Sequence, residues 1–490
     1  MPTHQRKEVP SDVQNTEALS AVQSNEVHQD GNSGGVLSNL LEKKFKLREN
    51  GTSVRTEVIA GTATFLAAAA MPAITPAVLG AAGWDKMAVF TATVLILMGS
   101  ALAYAFWVKY PFVCGPSIGV SPWVAFYVVN TLGVPWQAAL MCSFIAGVLF
   151  ILLSVVGFRE KILGAIPMTL KHAFGAGIGA FITTVGLLQT GIIKTDSKSF
   201  FGLSLGDLTA TPTLMAIITI FIIGFFIVRN IQGGFLVGVL AFAIAGIFIM
   251  DPATGSPITK WTGEIFSFAN PIAALSPTLF KLSFAGMENL GENIWMTIGI
   301  IIFITFFIDV FDTVGTVSGI ATLGGFIDEN GNIPRINRVF MVDALGTTIG
   351  GLLGLTLVTT YIESSVGVAE GGKTGLTSLW IAVLFGLTLF FAPIFTMVPA
   401  VASGSAITLI GALMIKSVLK IDLNDFTEAL PAFFCIFMMP FTGNMGTGIL
   451  IGIFTYTILK TLAGKQKEVN PTLWILSIIF IFYVIANQMI

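Results

Sequence analysis

The chain has 490 residues, 54% of them hydrophobic and only 11% charged, where a soluble protein carries roughly 25% charged residues. With a mean hydropathy of +0.86, most of its length must face lipid or other apolar segments. Twenty-seven acids against 25 bases leave a net charge of -2, and no basic excess argues for a nucleic-acid partner.

Residues 1–44 are rich in Ser, Gln, Asn, Glu and Val without periodicity. They have no apolar h-region, so they read as a disordered cytoplasmic tail and not as a signal peptide. Lys43, Lys44, Lys46, Arg48 and Arg55 then crowd the entry to the first apolar segment. A membrane span needs roughly 20 apolar residues. Fourteen segments qualify, at 57–80, 87–108, 112–130, 136–158, 168–192, 211–229, 233–250, 293–318, 339–356, 357–372, 377–397, 399–418, 429–443 and 446–463. The third, tenth and thirteenth are short or rich in Gly and Pro. With the N-terminus inside, alternation puts Lys109, Arg159/Lys161, Arg229, Arg335/Arg338, Lys373, Lys416/Lys420 and Lys460/Lys465/Lys467 all inside, as the positive-inside rule requires. The longer loops 193–210 and 251–292 fall outside. Residues 472–490 form one more apolar stretch, read either as a fifteenth span or as an interfacial helix.

Pro116-Ser117-Ile118-Gly119-Val120 in the third segment matches Ser364-Ser365-Val366-Gly367-Val368 in the tenth. Each follows a stretch that reads as extended, Phe112-Val113-Cys114 and Val358-Thr359-Thr360-Tyr361. Each precedes one long span and an apolar-Pro turn, Ile166-Pro167 and Val398-Pro399. Seven spans separate the two segments. An odd number makes the repeats inverted, and inverted repeats with broken helices carry a transporter's site at the midplane.

Acids are scarce within the spans and cluster in the second half. Asp309 and Asp312 lie deep in IFITFFIDVFDTVGTVSG (302–319), and Glu363 stands where the second extended stretch meets a half-helix. An acid at the bilayer centre costs about 2.5–3.5 kcal/mol on insertion scales, so each should face a cavity or a partner. Asp312 shares a face with Thr313 and Thr316. Glu363 sits at a helix N-terminus, where it reads either as a simple cap or as part of an anion-favouring site. Asp309 reads as a structural acid at a helix contact or as a functional one. Glu370 is expected to pair with Lys373, and Asp343 with Arg338, both as structural contacts. Cys114, Cys142 and Cys435 read as packing residues, and His172 as interfacial. Gly175, Gly177 and Gly179 lie inside an apolar span with no preceding strand, so they read as helix packing, not as a dinucleotide loop. No metal-ligand set or cofactor motif is present in the sequence, and no nucleophile–base pair marks an enzyme.

FFIDVFDTVGTVSG (306–319), YIESSVGVAEGGKTGLTS (361–378), the stretch 429–460 and FKLRENGTSVRTEVIAGTATFL (45–66) resemble the AzgA-like purine permeases, from about residue 45 to the end. The resemblance implies proton-coupled uptake of bases such as hypoxanthine, guanine, adenine or xanthine across the plasma membrane. It implies the uracil-permease fold: an all-α protein of fourteen spans in a 7+7 inverted repeat, with short strands in spans 3 and 10. Boundaries follow at 45–160 and 293–397 for a core domain and 161–250 and 398–464 for a gate domain. An extracellular loop at 251–292 and a hydrophobic segment at 465–490 complete the chain. By motif position, Asp312 and Glu363 would contact the base, with the backbone of Ile118, Gly119, Tyr361 and Ile362 along its edge. Ser121 stands where the family carries an amide, and Thr316 where the uracil-permease branch carries a histidine.

A carboxylate accepts two adjacent N–H donors, which suits Glu363 against a guanine-type edge. An acid in an apolar site can carry the coupled proton, a role open to Asp312 or Asp309. The expected partners are therefore a purine base, a proton and the bilayer, with a homodimer open as the assembly. Two other classes remain: an anion exchanger of the sulfate-permease type on the same fold, and a channel or receptor. Acids beside both half-helices argue against the first, since they repel anions.

Overall fold

The computed structural model describes residues 36–155 and 166–488, apart from 197, 200–201, 262, 268–269, 288–293 and 329–332. Most of the expected tail and the Arg159/Lys161 pair lie outside the described residues. The part of the tail that is described is ordered: Val36–Phe45 forms a helix, α1. Phe45 and Leu47 are buried against Leu376, and this apolar anchor overrides the polar composition upstream.

Helices α2 (Val54–Gly80) and α3 (Lys86–Val108) follow, then a turn at Val120–Pro122 running into a π-helix at Trp123–Thr131, together α4. Next come α5 (Trp136–Val155), α6 (Met168–Thr190), α7 (Thr211–Val228) and α8 (Gly234–Phe248). The second half holds α9 (Ile294–Gly324), α10 (Ile336–Leu353) and the six-residue α11 (Ser364–Ala369). It continues with α12 (Gly375–Thr396), α13 (Ala400–Lys420), α14 (Phe426–Thr442) and α15 (Met445–Leu462), and ends in α16 (Pro471–Gln488). Among the described residues, eight of these helices are long and apolar enough to cross a membrane: α2, α3, α5, α6, α7, α12, α13 and α15. The chain is a multi-pass membrane protein.

The helix ends are set by local chemistry. Ser53, Asp85, Thr374, Asp425 and Asn444 accept N–H groups of the turns they precede, as N-caps do. Gly191, Gly354 and Gly443 close helices in the left-handed conformation that glycine adopts freely. Among the described residues, six short strands pair antiparallel: β1 (Cys114–Pro116) with β6 (Val358–Thr360), β2 (Ile193–Thr195) with β3 (Leu203–Leu205), and β4 (Met250–Asp251) with β5 (Ser256–Pro257). The last two hairpins lie in the long loops 193–210 and 251–292.

Two sets of packing partners emerge. Helix α12 lies on α2 and α3, while α5 lies on α9 and α10. Helix α6 lies on α13 and α14, and α15 packs on α14 and α16. The approach of α6 depends on its glycines. A Cβ on Gly179 would meet the Gly411 carbonyl at 2.8 Å, and one on Gly177 would meet the Met439 sulfur at 2.6 Å, so the packing reading of this motif holds. In the last turn of α15, Lys460 is 2% exposed and bonded to Glu428 at 2.6 Å and Glu468 at 2.9 Å. This ion cluster around a buried lysine ties α14, α15 and the turn before α16 together. Leu473, Leu476 and Phe480 of α16 are buried while Trp474, Ile475 and Ile478 are exposed, so one face of the helix lies on the protein.

Candidate functional site

The site is built on the crossing of two interrupted segments. β1 and β6 pair in the register Cys114↔Thr360, Gly115↔Thr359 and Pro116↔Val358. Main-chain bonds extend the ladder at both ends, from Tyr361 N to the Val113 carbonyl at 2.9 Å and from Ser117 N to the Leu357 carbonyl at 2.8 Å. The extended stretches foreseen at 112–114 and 358–361 are thus strands, the first displaced by two residues. The pairing satisfies backbone polar groups that lipid could not. Gly115 is required here: the Tyr361 ring lies where a Cβ would sit, 2.5 Å away. The Tyr361 hydroxyl donates to the Pro116 carbonyl at 3.0 Å, locking one break to the other.

Helix α9 passes the ladder with Asp309, Asp312, Thr313 and Thr316 at spacings that share a face. The hydroxyls of Ser117 and Thr359, one from each broken segment, bond to the Asp312 carboxylate. Asp309 is fully buried and within 3.2 Å of the Thr347 hydroxyl. That hydroxyl also lies 2.8 Å from the Val358 carbonyl. Asp343 is fully buried as well, and accepts from Thr360 at 3.0 Å, from the Cys114 thiol at 3.1 Å and from Thr313. The expected Arg338 partner is turned away: its guanidinium donates to the Trp107 carbonyl at 3.1 Å. Cys114, read as a packing residue, is therefore also a donor in a buried polar network with Tyr104 and Thr360.

Exposure separates the acids. Asp309 and Asp343 are sealed, whereas Asp312 and Glu363 are partly exposed. Glu363 precedes α11 but makes no side-chain capping bond, so the simple cap reading fails. The amides of Ser364, Ser365 and Val366 are taken by the carbonyls of Tyr361, Ile362 and Glu363. The half-helix thus closes its own first turn and does not present a row of free donors. Glu363 feels the charge of Asp312, so the two acids lie in the same neighbourhood. Ile362 beside them is 54% exposed. Ile118 and Gly119 are partly exposed, and a Cβ on Gly119 would touch Ile178 of α6 at 3.0 Å. Thr316 is partly buried on the same α9 face. Ser121 is buried and bonded to the Thr356 hydroxyl at 2.9 Å, which occupies it inside the protein.

One further carboxylate escaped the sequence reading. Glu57, at the start of α2, is fully buried. It accepts from Lys373 N at 3.0 Å, from Thr374 N and Thr377 N, each at 3.2 Å, and from the hydroxyls of Thr374 and Thr377 at 2.8 and 2.7 Å. The GGKTGLT stretch is thereby explained as a cradle for this acid. Glu370, expected to pair with Lys373, instead lies 3.5 Å from the Gln232 amide nitrogen. Among the described residues no three His, Cys, Asp or Glu side chains gather in metal-ligating geometry.

A model described as Permease family matches residues 55–451. A putative permease of Methanocaldococcus jannaschii is 37% identical, covering 91% of this chain and 98% of that one. The guanine/hypoxanthine permease PbuG of Bacillus subtilis is 36% identical (90% and 98% covered), and the adenine permease AdeP of Escherichia coli 33% identical (91% and 96%). Among solved structures, the transmembrane domain of the cyanobacterial bicarbonate transporter BicA is similar, with a TM-score of 0.55 at 17% identity, covering 81% of this chain and 97% of that one. The murine anion transporter Slc26a9 in its inward-facing state gives 0.58 at 11% identity, with 95% and 77% covered. At these identities the likeness concerns the fold alone.

Proposed function

The chain belongs to the Permease family, and from that premise we propose that it imports purine nucleobases by proton symport through alternating access. The observation that carries the reading is the pair of partly exposed acids, Glu363 and Asp312, held at the crossing of two broken segments. A purine presents adjacent N–H donors along one edge, and a carboxylate accepts two of them. Glu363, with no capping bond to make, is the acceptor for that edge. Asp312, held by hydroxyls from both segments, senses their relative position and carries the coupled proton, with Asp309 one turn away as the alternative carrier. The relatives named as adenine and guanine/hypoxanthine permeases support a purine as the substrate.

The order of elements supports a 7+7 inverted repeat of fourteen spans, and the lysines and arginines of the short loops support a cytoplasmic N-terminus in a protein of the plasma membrane. The packing sets support a core of α2–α5 and α9–α12 moving against a gate of α6–α8 and α13–α15. The Gly119–Ile178 contact lies at the boundary where the two would slide. An acid pair at the crossing disfavours an inorganic anion as cargo, even though the fold is shared with anion transporters. The test is uptake of labelled hypoxanthine into cells or proteoliposomes, competed by unlabelled adenine, guanine, xanthine and uracil. Purines should compete, and a protonophore should collapse uptake while sodium removal leaves it intact. Strict sodium dependence, or competition by sulfate and not by purines, would reject the reading.

A further inference from the structure

A second concave site lies away from the acid pair. A cavity of about 270 Å³ is lined by Lys44, Lys46, Lys109, Arg335 and Lys373, with Thr374 alongside. Five cations converge there, and of these only Lys46 has a carboxylate partner among the described residues, Glu49 at 2.9 Å. The other nearby acid, Glu57, is engaged by the Lys373 and Thr374 amides and the Thr374 hydroxyl. All five are solvent-exposed, and their summed positive potential draws an anion toward the cavity.

The backbone points the same way. Five non-glycine residues of the described chain have positive φ, and three of them are Lys46 (54°), Lys109 (64°) and Arg335 (61°). This conformation is uncommon outside glycine, above all for residues with long side chains. Lys109 closes α3 at a position where glycine is the usual occupant, and a basic residue stands there instead. Helix dipoles account for part of the cluster: Lys44 lies in the last turn of α1, Lys109 caps α3, and the Arg335 guanidinium donates to the Val108 carbonyl at the end of α3 at 2.8 Å. A cation at a helix C-terminus is favourable, but Arg335 and Lys373 stand at the N-terminal ends of α10 and α12. There the dipole is already positive and opposes a cation. At α12 the Glu57 carboxylate already takes the first amides, so the charge available to a ligand is that of the side chains.

We propose that this pocket binds a phosphate group, carried either by a soluble phosphorylated metabolite or by an anionic lipid headgroup. The group bridges the α1–α2 connection, the end of α3 and the starts of α10 and α12. Lys373 follows Glu363 by ten residues, across the short helix α11, so occupancy bears on the segment that carries the substrate-site acid. This last consequence rests on the proposed function; binding itself does not.

The test uses the purified full-length protein in neutral detergent. Inorganic pyrophosphate is titrated by calorimetry, and retention of phosphatidylglycerol is followed by native mass spectrometry. Wild type, Lys109→Gln, Lys373→Gln and the remote control Lys198→Gln are compared. If the phosphate is soluble, pyrophosphate binds and each pocket substitution weakens it roughly tenfold, while Lys198→Gln leaves it unchanged. If it is a headgroup, phosphatidylglycerol stays bound to wild type and Lys198→Gln and is lost from the pocket variants. Absence of both, or equal binding by wild type and the pocket variants, overturns the proposal. Hypoxanthine binding to the same samples separates this outcome from failure of the purine reading, since a base should bind whether or not the pocket does.

Discussion

Glu363 and Asp312 stand out in the sequence because acids in apolar segments are expensive, and the structure adds a difference in sealing. Asp309 and Asp343 are closed off by hydroxyls and a thiol, while Asp312 and Glu363 keep partial access. The roles should therefore separate by mutation. Glu363→Gln replaces one acceptor oxygen with a donor, which leaves N–H groups of the base unpaired at about 1–3 kcal/mol. Purine affinity measured by calorimetry should fall roughly 5- to 150-fold; wild-type affinity would remove Glu363 from the site. Asp312→Asn removes the titratable group. It should abolish proton-driven accumulation in proteoliposomes more severely than it weakens equilibrium binding. An equal loss of both would make Asp312 a substrate contact only.

At the scale of elements, the β1–β6 ladder and the Glu57 cradle determine whether the site exists. Gly115→Ala drives a methyl group into the Tyr361 ring. It should destabilise the protein by about 1–3 kcal/mol and weaken purine binding with it. Tyr361→Phe keeps the ring and loses one hydroxyl bond, for about 1 kcal/mol. Unfolding followed in detergent should rank the two in that order, and the reverse order would mean that the hydroxyl and not the ring holds the breaks together. Glu57→Ala would strand the amides of Lys373, Thr374 and Thr377. It should lower the unfolding temperature more than Glu57→Gln, which retains one acceptor oxygen. The two strands were legible because their segments are extended, short and flanked by a repeated small-residue motif. Their pairing was not, because β1 and β6 are more than 240 residues apart and no local pattern reports such a register. Glu57 was invisible for a similar reason. It sits in a basic, polar entry to the first span and looks like a surface acid until the distant GGKTGLT turn folds over it. The misassigned pairs, Glu370 with Lys373 and Asp343 with Arg338, came from helical spacing alone. That spacing gives neighbours along one helix but not the competing partners that other elements bring.

For the whole molecule, composition and loop charge made a multi-pass membrane protein readable, and the specific motifs made the family readable. The fold class is visible in hydropathy because lipid imposes helices of a set length. The shorter and broken elements, α4 and α11, are where hydropathy loses contrast and where the proposed site lies. The proposed orientation puts the β2–β3 hairpin outside and the α11–α12 connection inside. Single cysteines at Lys194 and Lys373 should accordingly be labelled by a membrane-impermeant thiol reagent from opposite sides; labelling of both from one side would invert or break the topology. The central claim, that this chain is a carrier whose purine site contains Glu363, is tested most directly by counterflow. Proteoliposomes loaded with unlabelled hypoxanthine and diluted into labelled hypoxanthine should accumulate label transiently with the wild-type protein and lose that accumulation with Glu363→Gln. Absence of counterflow by the wild type, or equal counterflow by the variant, would contradict the account.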